Sequence, residues 1–272
     1  ARRVLLDALE ALRSQADAVT IVGAQAVYLR SPEVPFSAVA SFTSDADLSL
    51  DPQRLGDAPL LEQAMTDAGF VRRSEHDAGL WVRTERVGNT VADIPVDLLV
   101  PESLSPGGRR SVKIPPHHKM AARRVPGLEA AVVDSDPMEV RSLDPYVDER
   151  VVHAKVAGPA ALLVAKAYKI HQRAGENGQS RLADKDAGDV LRLMMSDAGP
   201  DEVAERFKVL LDDPRSGETT RTGLSFLEEL FGAPATLGTE MAVAALAGVV
   251  DAGRVRALAP AYVAALRTGL AS

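Results

Sequence analysis

The sequence predicts an α+β protein whose N-terminal half mixes strands with helices and whose C-terminal half is all helical. Two observations predict this. Short apolar runs bounded by glycine, proline and other turn residues lie before residue 150, and amphipathic helical patterns follow one another from Pro159 onward. The 272 residues suffice for one large domain or two modest ones. We therefore predict two domains, an α+β core over residues 1–150 and a helical domain over residues 151–272.

The N-terminal half predicts three helices that alternate with strands, followed by an antiparallel strand pair. In chain order these are an amphipathic helix to about residue 18, the strand VTIVG (19–23), the helix AQAVYLR, a strand over 43–50, the helix LLEQAMTDAGF, and the strands GLWVRTER and IPVDLLVP. Gly88 and Asn89 are the turn residues of that last pair. Residues 112–147 are rich in proline, and their AAVV segment is β-like.

The C-terminal half predicts six helices, separated at residues 175–178, Pro200, Pro214 and residues 232–234. The helical segments are PAALLVAKAYKIHQR, DKDAGDVLRLMM, DEVAERFKVLLD, SFLEELF, TEMAVAALAGVV and VRALAPAYVAALR. This run of helices with no intervening strand pattern sets the second half apart from the first.

Composition excludes several classes of protein. The chain has no cysteine, which excludes disulfides and thiolate metal sites, and no apolar run approaches the roughly 20 residues that span a bilayer. We expect a cytoplasmic protein that does not enter membranes. The net charge of −7 argues against bulk coating of nucleic acid. However, residues 103–128 contain no acidic residue and carry a basic cluster, which fits either a solvated loop or a polyanion-binding surface: Arg109, Arg110, Lys113, Lys119, Arg123 and Arg124.

Two aspartates lie two residues apart in the strand-like segment SFTSDADLSL, residues 41–50. Side chains alternate along a strand, so Thr43, Asp45 and Asp47 share one face and the apolar residues take the other. Two carboxylates on one face repel each other unless a cation lies between them, and Mg²⁺ prefers such oxygen ligands. A solvated strand edge or turn is the alternative interpretation of this D-x-D pattern.

Two further features come at positions that suit phosphate chemistry. Gly23 ends the first strand just before a helix, whose N-terminal N–H groups and dipole favour a phosphate; a plain turn is the alternative. Asp97 lies in the apolar strand IPVDLLV and is a third candidate metal ligand, with Asp93 as its rival. Two metal ions held by such acids would activate an attacking hydroxyl and neutralise a triphosphate.

The helical half places charged residues on faces predicted to be buried. On one arc of their helix lie Lys166, Lys169 and Arg173, together with Leu162. On the next helix Asp186 shares a face with Val190 and Leu193, whereas Asp189 lies nearer the margin. One hypothesis is that Lys166 reaches a triphosphate and Asp186 orients it. The alternative is a buried ion pair between the two helices, with Asp184 as an N-cap.

Taken together, these segments resemble the AbiEii-type nucleotidyltransferase toxins of bacterial toxin–antitoxin systems, which include the mycobacterial MenT group. The matching pieces span residues 22–193 in the family's order: VGAQAVYL, FTSDADLSL, VDLLVP, ALLVAKAYKIHQR and DKDAGDVLRL. Two positions depart from the family pattern. Ala24 stands where a glycine or serine usually follows the motif glycine, and Ser41 stands where an arginine often precedes the acids.

The resemblance implies a polymerase-β-like nucleotidyltransferase core with a mixed sheet, followed by a helical domain. It implies a growth-inhibiting enzyme that uses Mg²⁺ or Mn²⁺ to transfer a nucleoside monophosphate from an NTP to RNA, most often the tRNA 3′ end, opposed by a cognate antitoxin. The implied catalytic residues are Asp45, Asp47, Lys166 and Asp186. The implied nucleotide-binding residues are Gly23, Thr43, Ser44, Lys166 and Arg173, and the metal ligands are Asp45, Asp47 and Asp97.

The acceptor and the activity itself have alternatives. Our own prediction is that residues 103–128, with the six basic side chains named above, bind the acceptor RNA. A small hydroxylated acceptor, such as an aminoglycoside, would use the same chemistry. Ala24 and Ser41 are the residues that would favour a non-catalytic module that binds a nucleotide or a partner protein.

Overall fold

The computed structural model describes residues 1–32, 45–88, 90–105, 111–175 and 181–272. These residues form two compact units. The first, the sheet unit, comprises the described residues within 1–25, 43–128 and 135–157. The second, the helical unit, comprises those within 26–42, 129–134 and 158–272. Both units are discontinuous in sequence.

The sheet unit is built on one mixed sheet. The described residues contribute eight strands: β1 (Val19–Val22), β2 (Ala46–Leu50), β3 (Val71–Arg72), β4 (Leu80–Val87), β5 (Thr90–Pro101), β6 (Arg123–Val125), β7 (Ser135–Arg141) and β8 (Val151–Ala157). The order across the sheet is β3-β4-β5-β2-β1-β8-β7, and β6 also pairs with β5. Strand β5 pairs antiparallel with β4 and parallel with β2 and β6. It therefore lies between β2, the strand with the D-x-D pattern, and β6, which contains Arg123 and Arg124 of the basic segment.

Apolar side chains of the strands and of α1 (Arg2–Ala11) make the core of the sheet unit. Val96, Leu98, Leu99 and Val100 of β5 are all buried, as expected of a strand with neighbours on both sides. Helix α1 buries its apolar face against β5, β8 and α3 (Leu61–Asp67). Helix α2 (Gly23–Arg30) starts in this unit directly after β1 and belongs to the helical unit from Ala26 onward.

The helical unit contains six helices from the C-terminal half of the chain, in addition to the end of α2. Within the described residues they are α4 (Pro159–Gly175), α5 (Arg181–Met194), α6 (Pro200–Asp212), α7 (Gly217–Phe231), α8 (Leu237–Ala245) and α9 (Ala252–Ala271). Helix α4 packs against α5 and α7, and α5 packs against α8. The carboxylate of Asp134 accepts a hydrogen bond of 2.9 Å from the Ala161 N–H, which fixes the first turn of α4.

The prediction of a mixed α+β protein with C-terminal helices is confirmed, as is the antiparallel pairing of β4 with β5. Three local predictions are wrong. The AAVV segment is not β-like, because a 3₁₀ turn covers Glu129–Val132. Residues 151–157 form strand β8 and do not belong to a helical domain. Helix α5 begins at Arg181, so Asp184 lies inside its first turn and is not its N-cap. No helix in the described parts of the chain is long and apolar enough to cross a membrane.

Candidate functional site

Asp47 lies in β2, and Asp45 comes immediately before the first residue of that strand. Ala46, Leu48 and Leu50 are fully buried on one face, while Asp45 and Asp47 are only half-buried. This arrangement is the predicted alternation of apolar and acidic side chains. The two carboxylates therefore belong to a face of the strand that is less completely covered than the apolar face.

Asp97 is the direct neighbour of Asp47 across the sheet. The two residues are Cα partners in the parallel pairing of β2 with β5, and partners in register point to the same face about 4.8 Å apart. Asp93 is four residues away, exposed, and accepts a 2.7 Å hydrogen bond from the Thr84 hydroxyl. Of the two rivals, Asp97 is the one placed beside Asp47.

Gly23 brings the start of α2 against the carboxylate of Asp47. Its φ of +67° suits glycine, and a Cβ added there would lie 2.0 Å from Asp47 Oδ2. Val22, the residue before it, is the register partner of Asp47 in the antiparallel pairing of β1 with β2. The absence of a side chain at Gly23 thus allows a carboxylate to lie close to the positive end of a helix.

Arg123 forms an ion pair with Asp97. One terminal guanidinium nitrogen donates a 2.9 Å hydrogen bond to Asp97 Oδ2, and the side chains are 38% and 15% exposed, respectively. Sequence reasoning placed Arg123 among the RNA-binding residues and Asp97 among the metal ligands. It did not place the two together, because their contact depends on the parallel pairing of β6 with β5.

The carboxylates of Asp45 and Asp47 are a donor set that fits Mg²⁺. Mg²⁺ is commonly held by one or two carboxylates and completes its shell with water and substrate phosphate oxygens. In the described ranges, no group of three or more histidine, aspartate and glutamate side chains is arranged to hold a metal ion.

The charged residues predicted on the helices form a buried cluster within the helical unit. The Lys166 amine donates to Asp186 Oδ1 and to Asp189 Oδ2, both at 2.6 Å, and all three side chains are at most 5% exposed. Arg173 donates to Asp186 Oδ2 at 2.6 Å, and the Lys169 amine lies 3.2 Å from Asp186 Oδ1. The ion-pair alternative is thus present, enlarged to five residues.

The electrostatics of this cluster favour the charged forms. Burial alone would lower the pKa of Lys166, but the carboxylates of Asp189 and Asp186 outweigh it and raise the pKa above its ordinary value. Burial likewise opposes ionisation of Asp186, yet Lys166 and Lys169 hold the pKa of Asp186 below its ordinary value. Lys166 is an ammonium and Asp186 a carboxylate at neutral pH.

Asp189 was underestimated by sequence reasoning. It is only 3% exposed and bonds to Lys166 as closely as Asp186 does. The helical wheel placed Asp189 near the margin because it assumes a single buried face, whereas α5 packs against both α4 and α8. The signal that could have identified it is the spacing of the two acids, three residues apart, which puts them on one side of a helix.

The predicted basic surface is only partly described. Lys113 and Lys119 are exposed, whereas Arg124 donates a 2.8 Å hydrogen bond to the Glu102 carbonyl and is half-buried. Arg109 and Arg110 lie outside the described residues, as do the predicted nucleotide-binding residues Thr43 and Ser44. RNA binding by this segment stays a prediction.

Comparisons of the chain with protein-family models, with curated proteins and with solved structures found no match.

Proposed function

We propose that this protein is a nucleotidyltransferase that uses Mg²⁺ or Mn²⁺ to transfer a nucleoside monophosphate from an NTP to a hydroxyl of RNA. The observation that carries the proposal is the pairing of Asp47 with Asp97 on adjacent parallel strands, with Gly23 packed against the Asp47 carboxylate. Acids on one sheet face beside the N-terminus of a helix suit a nucleoside triphosphate and its metal ion. The polymerase-β-like core named above is the fold that we propose for the sheet unit.

The reaction forms one P–O bond and breaks another. The acceptor hydroxyl oxygen bonds to the α-phosphorus, the bond from that phosphorus to the bridging oxygen breaks, and pyrophosphate leaves while the hydroxyl proton passes to solvent. Mg²⁺ would neutralise phosphate charge. Asp45 and Asp47 would hold the cation, and the N–H groups that begin α2 at Gly23 would bind phosphate oxygens.

The assignment of Lys166, Asp186 and Arg173 to nucleotide binding rests on the family resemblance. Within the helical unit, their mutual ion pairs already account for the burial of Lys166 and Asp186. Thr43 and Ser44 also enter the proposal through the resemblance alone. The structural support for the proposal therefore comes from the acids Asp47 of β2 and Asp97 of β5.

RNA is the acceptor that we propose, and the support for it comes from the basic segment. The acid-free segment 103–128 leads out of β5, the strand of Asp97, and displays Lys113 and Lys119 to solvent. Exposed lysines bind phosphates without regard to sequence. The tRNA 3′ end, the growth-inhibiting role and the antitoxin rest on the resemblance, and the cytoplasmic location rests on the composition of the chain.

The test is incubation of the purified protein with Mg²⁺ and each α-labelled NTP in turn, with total RNA as the acceptor in one series and an aminoglycoside in a second. We expect a labelled tRNA-sized product with one preferred NTP. An Asp45→Asn/Asp47→Asn variant should give no product, and an Asp93→Asn variant, which removes an exposed acid of β5, should match the wild type. Label on an aminoglycoside but not on RNA would show that the acceptor is a small hydroxylated molecule instead of RNA. No label on either, with every NTP, would refute the proposed reaction.

A further inference from the structure

We propose that Arg123 is the permanent counter-cation of Asp97, so that the site takes a single divalent cation, on Asp45 and Asp47. This inference rests on the proposed function, because that function brings the metal. It changes two predicted roles. Asp97 becomes a positioning residue for Arg123 instead of a metal ligand, and Arg123 leaves the set of RNA-binding residues.

The sheet register places Arg123 on the same face as the acids. Arg123 is the Cα partner of Leu99 in the parallel pairing of β5 with β6, and Leu99 is two residues beyond Asp97. Residues two apart on a strand, and partners in register, point to the same face. The 2.9 Å hydrogen bond from Arg123 to Asp97 Oδ2 is therefore the result of the strand arrangement.

The backbone at Arg123 is closely packed, which fixes where its side chain starts. Gly79, with a φ of +73°, lies so close that an added Cβ would be 2.5 Å from the Leu98 carbonyl oxygen and 2.6 Å from the Arg123 backbone nitrogen. The Gly79 N–H donates to the Met120 carbonyl at 3.0 Å, and the Gly79 carbonyl accepts from the Leu98 N–H at 2.8 Å. Gly79 thereby ties the start of β6 to β5.

Charge and burial then decide which cation Asp97 holds. Arginine does not lose its proton in proteins, so Asp97 lies beside a fixed positive charge. A divalent ion bound to Asp97 would lie beside the guanidinium and be repelled by it in a partly buried setting.

The fixed guanidinium also supplies positive charge near the reacting phosphates without a second dissociable ion. In a site with two metal ions, the second ion adds charge that is lost when the ion leaves. In this protein the corresponding positive charge belongs to the side chain of Arg123 in β6 and cannot dissociate. Occupancy by Mn²⁺ should therefore reach one ion per chain and should depend on Asp47 but not on Asp97.

The experiment is a titration of the purified protein with Mn²⁺ alone, followed through the electron paramagnetic resonance of the free ion. We expect one bound Mn²⁺ ion for the wild type and none for Asp47→Asn. Asp97→Asn should also bind one, with an affinity within about threefold of the wild type, because its carboxylate ligands Asp45 and Asp47 are unchanged. Arg123→Gln should gain a second Mn²⁺, which the added Asp97→Asn change removes again. Arg123→Lys, which keeps the charge, should bind one.

Several results would overturn the inference. One is a wild type that binds two Mn²⁺ ions and loses one of them in Asp97→Asn. Another is an Arg123→Gln protein that has the melting temperature of the wild type yet still binds only one Mn²⁺ ion. If Arg123→Gln does not fold, Asp97→Asn alone decides by keeping or losing the wild-type stoichiometry. A wild type that labels RNA but binds two ions refutes only this inference, whereas one that neither binds Mn²⁺ nor labels RNA refutes the proposed function as well.

Discussion

Both units of the molecule hold aspartates beside basic side chains, but the two groups differ in burial and in the balance of charge. In the sheet unit, Asp45, Asp47 and Asp97 are half-buried and share a face with Arg123. In the helical unit, Asp186 and Asp189 are almost fully buried and lie among three cations: Lys166, Lys169 and Arg173. As defined here, the first group consists of three acids and one arginine, and the second of two acids and three cations.

This difference indicates different physical roles. Half-buried carboxylates can bind a cation at small cost in desolvation. A buried, fully hydrogen-bonded group contributes to a specific helix packing and is costly to break. Substitutions in the helical cluster should therefore act mainly on stability, and substitutions of the sheet acids mainly on activity.

The largest effect on stability should come from Lys166→Ala. Removal of the amine leaves Asp186 and Asp189 buried without their shared partner, and breaking a buried ion pair costs about 3–5 kcal/mol. Urea denaturation of both proteins measures this. Lys169→Ala is the matched control, because Lys169 is 42% exposed and an exposed pair contributes about 0–1 kcal/mol. Equal losses in the two variants would contradict the assigned difference in burial.

Acid should remove part of the same stabilisation. The pKa of Asp186 is lower in the folded protein than its ordinary value of 3.8, so its contribution is present above that value and is lost as the pH falls through the folded pKa. The free energy of unfolding of the wild type should therefore fall more steeply in acid than that of Asp186→Asn. Parallel pH profiles for the two proteins would show that Asp186 is not held as a carboxylate.

A smaller effect is expected from Gly23→Ala. The left-handed backbone costs an L-residue about 1–2 kcal/mol, and the new Cβ would meet Asp47 Oδ2. Gly69→Ala is the control, since Gly69 also has a positive φ but has nothing within 4 Å of an added Cβ. Denaturation should show a larger loss for Gly23→Ala. If the losses are equal, the carboxylate of Asp47 moves aside freely.

The smallest effect on stability should come from Asp47→Asn. The change keeps the side chain's shape at a half-buried position but removes a negative charge beside the start of α2, so the free energy of unfolding should fall by no more than about 1 kcal/mol. Denaturation checks this value. A loss comparable to that of Lys166→Ala would show that Asp47 is primarily a structural residue and would remove the contrast between the two groups.

Local patterns predicted part of the fold and could not predict the rest. The strand VTIV, the β4–β5 hairpin and the C-terminal helices follow from periodicity and turn residues. Strands β7 and β8 were missed: β7 contains Pro137 and three charged residues, while β8 is held in place by parallel pairing with β1, more than a hundred residues earlier in the chain. Such pairing leaves no signal within a local window.

The same limit applies to the candidate site. Strand alternation predicted the shared face of Asp45 and Asp47, and the apolar context of Asp97 favoured it over Asp93. The contact of Arg123 with Asp97 was beyond prediction, because it depends on the way that β6 returns beside β5. In the helices, the periodicity predicted that Lys166 and Asp186 face inward. An inward position is compatible both with a buried ion pair and with contact to a bound nucleotide, so the pattern alone could not distinguish the two.

The central claim is that the acids of the sheet unit support nucleotidyl transfer. The most direct measurement is the rate of pyrophosphate release from an NTP in the presence of RNA and Mg²⁺, compared between the wild type and Asp47→Asn at equal folded fractions. We expect release that matches label incorporation in the wild type and falls by at least about a hundredfold in the variant. Equal release by the two folded proteins would contradict the claim.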